Sequence, residues 1–482
     1  MYLPQIVLMI VALLAIVLWF LGGYQRSEER TDRLSLPAIL LAVWLVASVV
    51  FNVNFYLLQF GGFFDISIER VLFFIIILFL IAGLFRGKVR FHKDMSFEIV
   101  MGVFASVCIL SMMRVGFLAV TKEFISPWYV FITGYFFPFI VFIFAKNYIT
   151  NEKEITFVLH ALFYFGLYLS ITAFFEHFQL TQFVFPRFIL NPEIGVNVER
   201  ARGPFLNAGF NGFGILVGLI SGLHLIQEKT GFTKRFYQAA LLLFFPAVFF
   251  TLTRMVYIGL FITLFIFLRY YKTSYPKWKL IALPLTLVLI VGIVNSPRLL
   301  SSDRRKGGVL QVTEVDIRMA LLRKSFYMFS EHPFMGIGLA QFVPSAGRTY
   351  KGPIAFVEEE SEAQLQHNHL LGIATELGIP GLLVYLTLII LVMRRLRQLA
   401  GKLPNTGITG SNLRIVIFAI WCVFLEISLF LEPSNSLFLN AVPFLFAGIA
   451  DSLYTRSLDS ALLSQSPIRT SQSPMRIINS HV

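Results

Sequence analysis

Apolar runs of about 20 residues recur along nearly the whole chain, separated by short polar connections. A run of that length crosses the roughly 30 Å hydrocarbon layer of a bilayer as a single helix. Candidate spans fall near 4–22, 34–52, 68–85, 97–116, 127–145, 155–176, 209–226, 238–253, 255–268, 279–296, 380–393, 412–431 and 436–453. The pattern predicts an all-α polytopic membrane protein of about 12–13 transmembrane helices. The first run has no basic leading region and no small-residue cleavage site, so it reads as a retained span and not as a removable signal peptide.

One run tests this division. Residues 238–268 are almost continuously apolar, and a single helix of about 31 residues would be ~46 Å long, more than a bilayer core needs. Basic residues flank both ends, so the chain must cross an even number of times and turn within the run, around Thr251 to Arg254. One long polar stretch, 297–366, interrupts the spans and carries nine basic and eight acidic residues. Within it, TEVDIRMALLRKSFYMFSEHP (313–333) has a Thr start, early acids and a Pro stop, the signature of an amphipathic helix. MGIGLAQF (335–342) follows as a tight glycine-containing turn, and EEESE (358–362) reads as a solvated face. A loop of this length with no core of its own is usually functional or disordered, and its helix signal favours functional.

The composition agrees with the pattern: 57% of the 482 residues are hydrophobic, 14% are charged, and 53 are phenylalanine. The net charge of +13 does not point to nucleic acid, because the basic residues form short clusters beside apolar runs. Those clusters alternate with nearly uncharged connections. Arg86 and Lys88, Lys146 and Lys153, Lys229 and Lys234, Arg269 and Lys272, and Arg394, Arg395 and Arg397 mark one side, the cytoplasmic one if such loops retain Lys and Arg. This places the N-terminus and the 297–366 loop outside. Residues 454–482, rich in Ser, Arg and Pro, read as a disordered cytoplasmic tail. Cys108 and Cys422 lie in apolar runs and behave as small hydrophobes.

Three arginines fall on the outer side: Arg202 in RARGPFLNAGFNG, Arg254 in TLTRMVY, and Arg318 in the loop helix. Guanidinium is a permanent, planar, bidentate donor suited to phosphate oxygens, although any single one could be an interfacial anchor. In HNHLLGIATELGIPG (367–381), His367 opens the return into the membrane, and an imidazole there can accept a proton from a hydroxyl. On a helix from 367, Glu376 would face away from His367 and stand about two turns from His369, so Glu376 reads as a packing or capping element, with His369 as possible support. No acidic pair of the metal-dependent kind occurs in the short outer loops, and there is no Walker loop or dinucleotide fingerprint, so neither a metal nor a cofactor is expected.

HNHLLGIATELGIPGL resembles the His-Asn and Glu-x-Gly-x-x-Gly signature of the O-antigen ligase and Wzy-type polymerase superfamily. RARGPFLNAGFNGFG, TLTRMVYIG and the arginine-bearing loop helix running into HPFMGIGLAQF precede it in that family's order. The resemblance spans about 200–381 and implies an N-terminal set of transmembrane helices (1–199) and a catalytic membrane domain (200–453) that includes the periplasmic loop 297–366. It further implies a GT-C-like, metal-independent glycosyltransferase of the bacterial inner membrane, working at the periplasmic face. Its donor would be an undecaprenyl-pyrophosphate-linked glycan, and its acceptor lipid A core or another lipid-linked glycan. His367 would be the general base, Arg254 and Arg318 would hold the donor pyrophosphate, and Arg202 would share that duty. The family often carries an acidic residue where this chain has His369. The alternatives are a polysaccharide flippase or other transporter, with polar groups near the membrane midplane, and a noncatalytic scaffold.

Overall fold

The computed structural model describes residues 34–60, 64–89, 94–117, 126–196, 198–273, 286, 293, 313–347, 355–362 and 364–465. The span expected at 4–22, nearly all of that at 279–296, and the tail beyond 465 lie outside the described residues. Each other expected span coincides with a helix, and eight of the described helices are long and apolar enough to cross a membrane. The protein is an all-α polytopic membrane protein. A two-stranded antiparallel hairpin, Leu58–Phe60 with Phe64–Ile66, joins the first two described helices.

In chain order the helices that lie within the described residues are α1 (Leu36–Val50), α2 (Ile68–Phe85), α3 (Ser96–Val115), α4 (Pro127–Tyr148), α5 (Glu152–His177), α6 (Ala208–Leu225), α7 (Gly231–Phe250) and α8 (Arg254–Tyr270). There follow α9 (Thr313–Glu331), α10 (Phe342–Ala346), α11 (Ala355–Glu362), α12 (His369–Gln398), α13 (Ser411–Ser428) and α14 (Leu437–Gln465). Local chemistry sets these boundaries. Asn151 starts α5 with a capping box, accepting the Glu154 N–H while the Glu154 carboxylate accepts the Asn151 N–H. α4 widens into a π-turn over Ile132–Phe136, just before Pro138, whose ring nitrogen cannot continue the helical ladder.

The long apolar run does turn where charge parity requires. α7 ends at Phe250, Leu252 takes a left-handed φ of 46°, and α8 opens at Arg254 after Thr253. The loop helix α9 spans Thr313–Glu331, as its cap and stop signals predict. Contrary to the sequence reading, the loop has a small core of its own: Ile317, Leu321 and Met328 of α9 pack with Phe342 and Ala346 of α10 and Val357 of α11. Glu358 is likewise not a solvated residue, because it is buried against Lys324 at 2.9 Å. Residues 454–465, expected to begin a disordered tail, continue α14 as helix.

The core of the bundle is α6 and the 437–455 stretch of α14, both largely buried among the other helices. At the basic end, Lys146 bridges Glu98 (2.5 Å) and Asp451 (2.9 Å), while Arg395 bridges Asp451 (2.6 Å) and Asp94 (2.7 Å). These pairs tie α3, α4, α12 and α14 together. Charges removed from water are tolerated here because each meets an opposite charge.

Candidate functional site

The opposite end of the bundle holds the residues singled out from the sequence. Arg254 is the first residue of α8, and Arg269 lies in its last turn, so the two ends of one helix are ~24 Å apart at 1.5 Å per residue. α12 is oriented the same way, with His369 at its start and Arg395 and Arg397 in its last turn.

His367 lies just outside the helix. It has a left-handed φ of 54°, and the helix starts at His369 after Asn368, whose side chain caps it by accepting the Leu371 N–H at 3.0 Å. His367 lines a cavity of about 540 Å³, within the ~300–1,000 Å³ usual for ligand sites. Arg200 and Arg318 line the same cavity, and His367 Nε2 lies 3.3 Å from the Gln364 side-chain oxygen. A smaller cavity of about 170 Å³ adjoins it through the shared wall residues Thr253, Met255 and Arg318, and Arg254 lines that one. The structure therefore brings Arg254, Arg318 and His367 around two contiguous spaces.

It does not bring Arg202 there. That side chain is 1% exposed and donates to the carbonyls of Ile189 (3.2 and 2.6 Å), Asn191 (2.6 Å) and Ile194 (2.6 Å). The Arg202 and Gly203 N–H groups in turn donate to the Glu176 carboxylate. Arg202 is thus the pin of the 189–203 loop, and Arg200, two residues earlier, reaches the cavity in its place.

Glu376 joins the loop to α12. Its carboxylate accepts the N–H groups of Ala340 (2.9 Å) and Phe342 (3.2 Å), while Ile337 and Gly338 donate to the Thr375 and Glu376 carbonyls (each 2.9 Å) and Ile379 to that of Pro333 (2.8 Å). Gly336 permits this contact, since a Cβ there would lie 2.3 Å from the Glu376 carbonyl group. α12 breaks at Gly378, with φ 70°, to receive the loop. From the other side Arg114 donates to the Met335 (3.0 Å) and Gly336 (2.7 Å) carbonyls. The segment after α9, which carries Arg318, is thereby fixed to the segment after His367.

His369 points inward. Its Nδ1 meets Glu432 Oε1 at 2.6 Å, and its ring stacks on Tyr135. Glu432 sits in the turn between α13 and α14 and lines the large cavity with His367. Burial pushes its carboxyl up, but the facing His369 and the hydrogen bonds from Ser434 outweigh this and hold it below the ordinary carboxylate range. Arg200, Glu432 and Asn435 line the cavity and were not among the residues singled out from the sequence.

The fold and site together define a polytopic helical membrane protein with a cationic, histidine-bearing cavity at one end of its helices. Residues 239–386 match the family described as O-antigen ligase, so the resemblance read from the sequence holds over the stretch that contains Arg254, Arg318, His367, His369 and Glu376. The match supports a membrane glycosyltransferase-like role, as a glycan ligase or polymerase. No curated protein matches the chain.

Proposed function

We propose that the protein transfers a glycan from an undecaprenyl-pyrophosphate carrier to an acceptor at the periplasmic face of the bacterial inner membrane. The observation that carries this reading is the shared cavity: Arg200, Arg318 and His367 line one space and Arg254 the space that adjoins it. His367 takes the proton of an acceptor hydroxyl. The hydroxyl oxygen attacks the anomeric carbon of the donor, and the carbon–oxygen bond to pyrophosphate breaks with its electron pair leaving on the phosphate. Arg254 and Arg318 receive that charge, with Arg200 in the place first assigned to Arg202. Fixed guanidinium groups at a low-dielectric boundary stabilise a developing anion strongly, with no metal needed for that task.

Sidedness supports the periplasmic assignment, because the basic connections lie at the helix ends remote from the cavity, where the cytoplasm retains Lys and Arg. The position of the cavity at helix termini also favours transfer over transport, for which polar groups near the midplane are expected. Ligase and polymerase share this donor chemistry and differ in acceptor, lipid A core or a second lipid-linked glycan.

The test is His367→Ala, purified and added to membranes from a strain lacking the gene, where donor and acceptor accumulate. Transfer should fall by ~10²- to 10⁴-fold, the usual worth of a positioned base. Undiminished transfer removes His367 from the chemistry.

A further inference from the structure

Leu365, Glu432 and Asn435 line the large cavity and also a second one of about 210 Å³ on the other side of that wall. Tyr135, Gln366, Gly372 and Ser434 line the second cavity further, and no Arg, Lys or His contributes to it among the described residues. Such a lining does not suit a phosphate. The lining is mostly aliphatic, and its polar part is the Glu376 and Glu432 carboxyl groups with Gln366, Ser434, Asn435 and Tyr135. Acceptors and neutral polar groups of this kind suit the hydroxyls of a sugar, which donate readily and carry no charge. At this volume, below the ~300–1,000 Å³ of most small-molecule sites, it holds one end of a glycan and not its length.

The wall itself is built for such a ligand. Glu432 Oε1 is committed to His369 Nδ1 at 2.6 Å and to the Ser434 N–H at 3.3 Å. Its Oε2 lies beside Gly372, where an added Cβ would come within 2.9 Å of it, so glycine at 372 leaves the space the second oxygen occupies next to the smaller cavity. Asn435 Oδ1 is buried and has no hydrogen-bond partner among the described residues. An acceptor oxygen left this way costs free energy unless a ligand supplies a donor.

We propose that Glu432 and Asn435 bind ring hydroxyls of the acceptor sugar, so that the acceptor occupies the smaller cavity and presents its reacting hydroxyl at the boundary this cavity shares with that of His367. His369 is then a positioning residue, acting on the acceptor only by fixing Glu432. The inference rests on the glycosyltransferase reading above and adds to it a separate place for the acceptor, away from the arginines.

The test uses the full chain in lipid nanodiscs, as wild type, Glu432→Gln and Asn435→Ala. Affinity for undecaprenyl pyrophosphate is measured first. Transfer is then followed in membranes of the gene-deleted strain, with acceptor glycolipid extracted from that strain added back in steps. Both variants should bind undecaprenyl pyrophosphate within about twofold of wild type yet need at least about tenfold more acceptor for half-maximal transfer, the worth of one hydrogen bond to a charged or buried group. Wild-type acceptor dependence in the variants overturns the proposal. So does weakened pyrophosphate-lipid binding, which would give the wall a donor or folding role, and so does inactivity at every acceptor concentration, which would move Glu432 into the chemical step. If wild type neither binds the pyrophosphate lipid nor transfers, the glycosyltransferase reading itself fails, and that outcome is distinct from the others.

Discussion

The Glu376 carboxylate accepts the backbone N–H of Ala340 at 2.9 Å, and this contact joins the arginine-bearing loop to the helix that follows the proposed base. Glu376→Ala leaves two amide N–H groups, of Ala340 and Phe342, without their partner, at a cost of about 1–3 kcal/mol each. The loop then shifts relative to His367. Misplacement by about 1 Å can cost ~10²-fold in rate, so transfer should fall far more than the melting temperature does. Rates and thermal midpoints measured on one preparation check this. Equal wild-type rates in Glu376→Ala would show that the clamp does not position the site.

Arg202 and Arg318 should separate cleanly. Arg202→Ala strips hydrogen bonds from the Ile189, Asn191 and Ile194 carbonyls, each worth about 1–3 kcal/mol if left buried and unpaired. Its expected effect is a lowered thermal midpoint and poor accumulation, with normal pyrophosphate-lipid affinity in the fraction that folds. Arg318→Ala should behave in the opposite way, folding well and binding poorly. Thermal unfolding and binding measured in parallel decide it.

The contrast between these two arginines marks the limit of what the sequence conveys. Guanidinium groups at 200 and 202 look alike in RARG, and only the course of the backbone through 189–203 decides which one faces carbonyls and which the cavity. The turn at Thr251 to Arg254 was legible because charge parity forces it, and α9 because its Thr start and Pro stop are local signals. Arg254, Arg318 and His367 could be grouped through the order of their motifs. Glu432 could not. It lies 63 positions from His369 in a turn between two apolar helices, and no local spacing reveals a pairing made by packing. The core of the loop was hidden for a similar reason, since α9, α10 and α11 each contribute only a few apolar residues to it.

The charged cluster at the basic end predicts a pH dependence of stability. The Ser96 hydroxyl, 2.5 Å away, and then Arg395 hold the Asp94 carboxyl well below the usual carboxylate range. A group whose value is lower folded than unfolded stabilises the protein above its unfolded value, near ~4, and that contribution disappears as pH falls toward the folded value. The side chain is 37% exposed, so solvent screening keeps the effect modest. The thermal midpoint in detergent should therefore drop between about pH 5 and 3, and Asp94→Asn should flatten part of that drop. A midpoint that rises on acidification would refute the assignment.

Undecaprenyl pyrophosphate binding to the purified protein tests the central claim most directly, because the account makes the arginine-lined cavities a diphosphate grip. Wild type should bind, Arg254→Ala and Arg318→Ala should each lose at least about tenfold in affinity, and Arg254→Lys should recover only part of it because the bidentate fork is gone. Affinity unchanged by removal of either arginine would contradict the account.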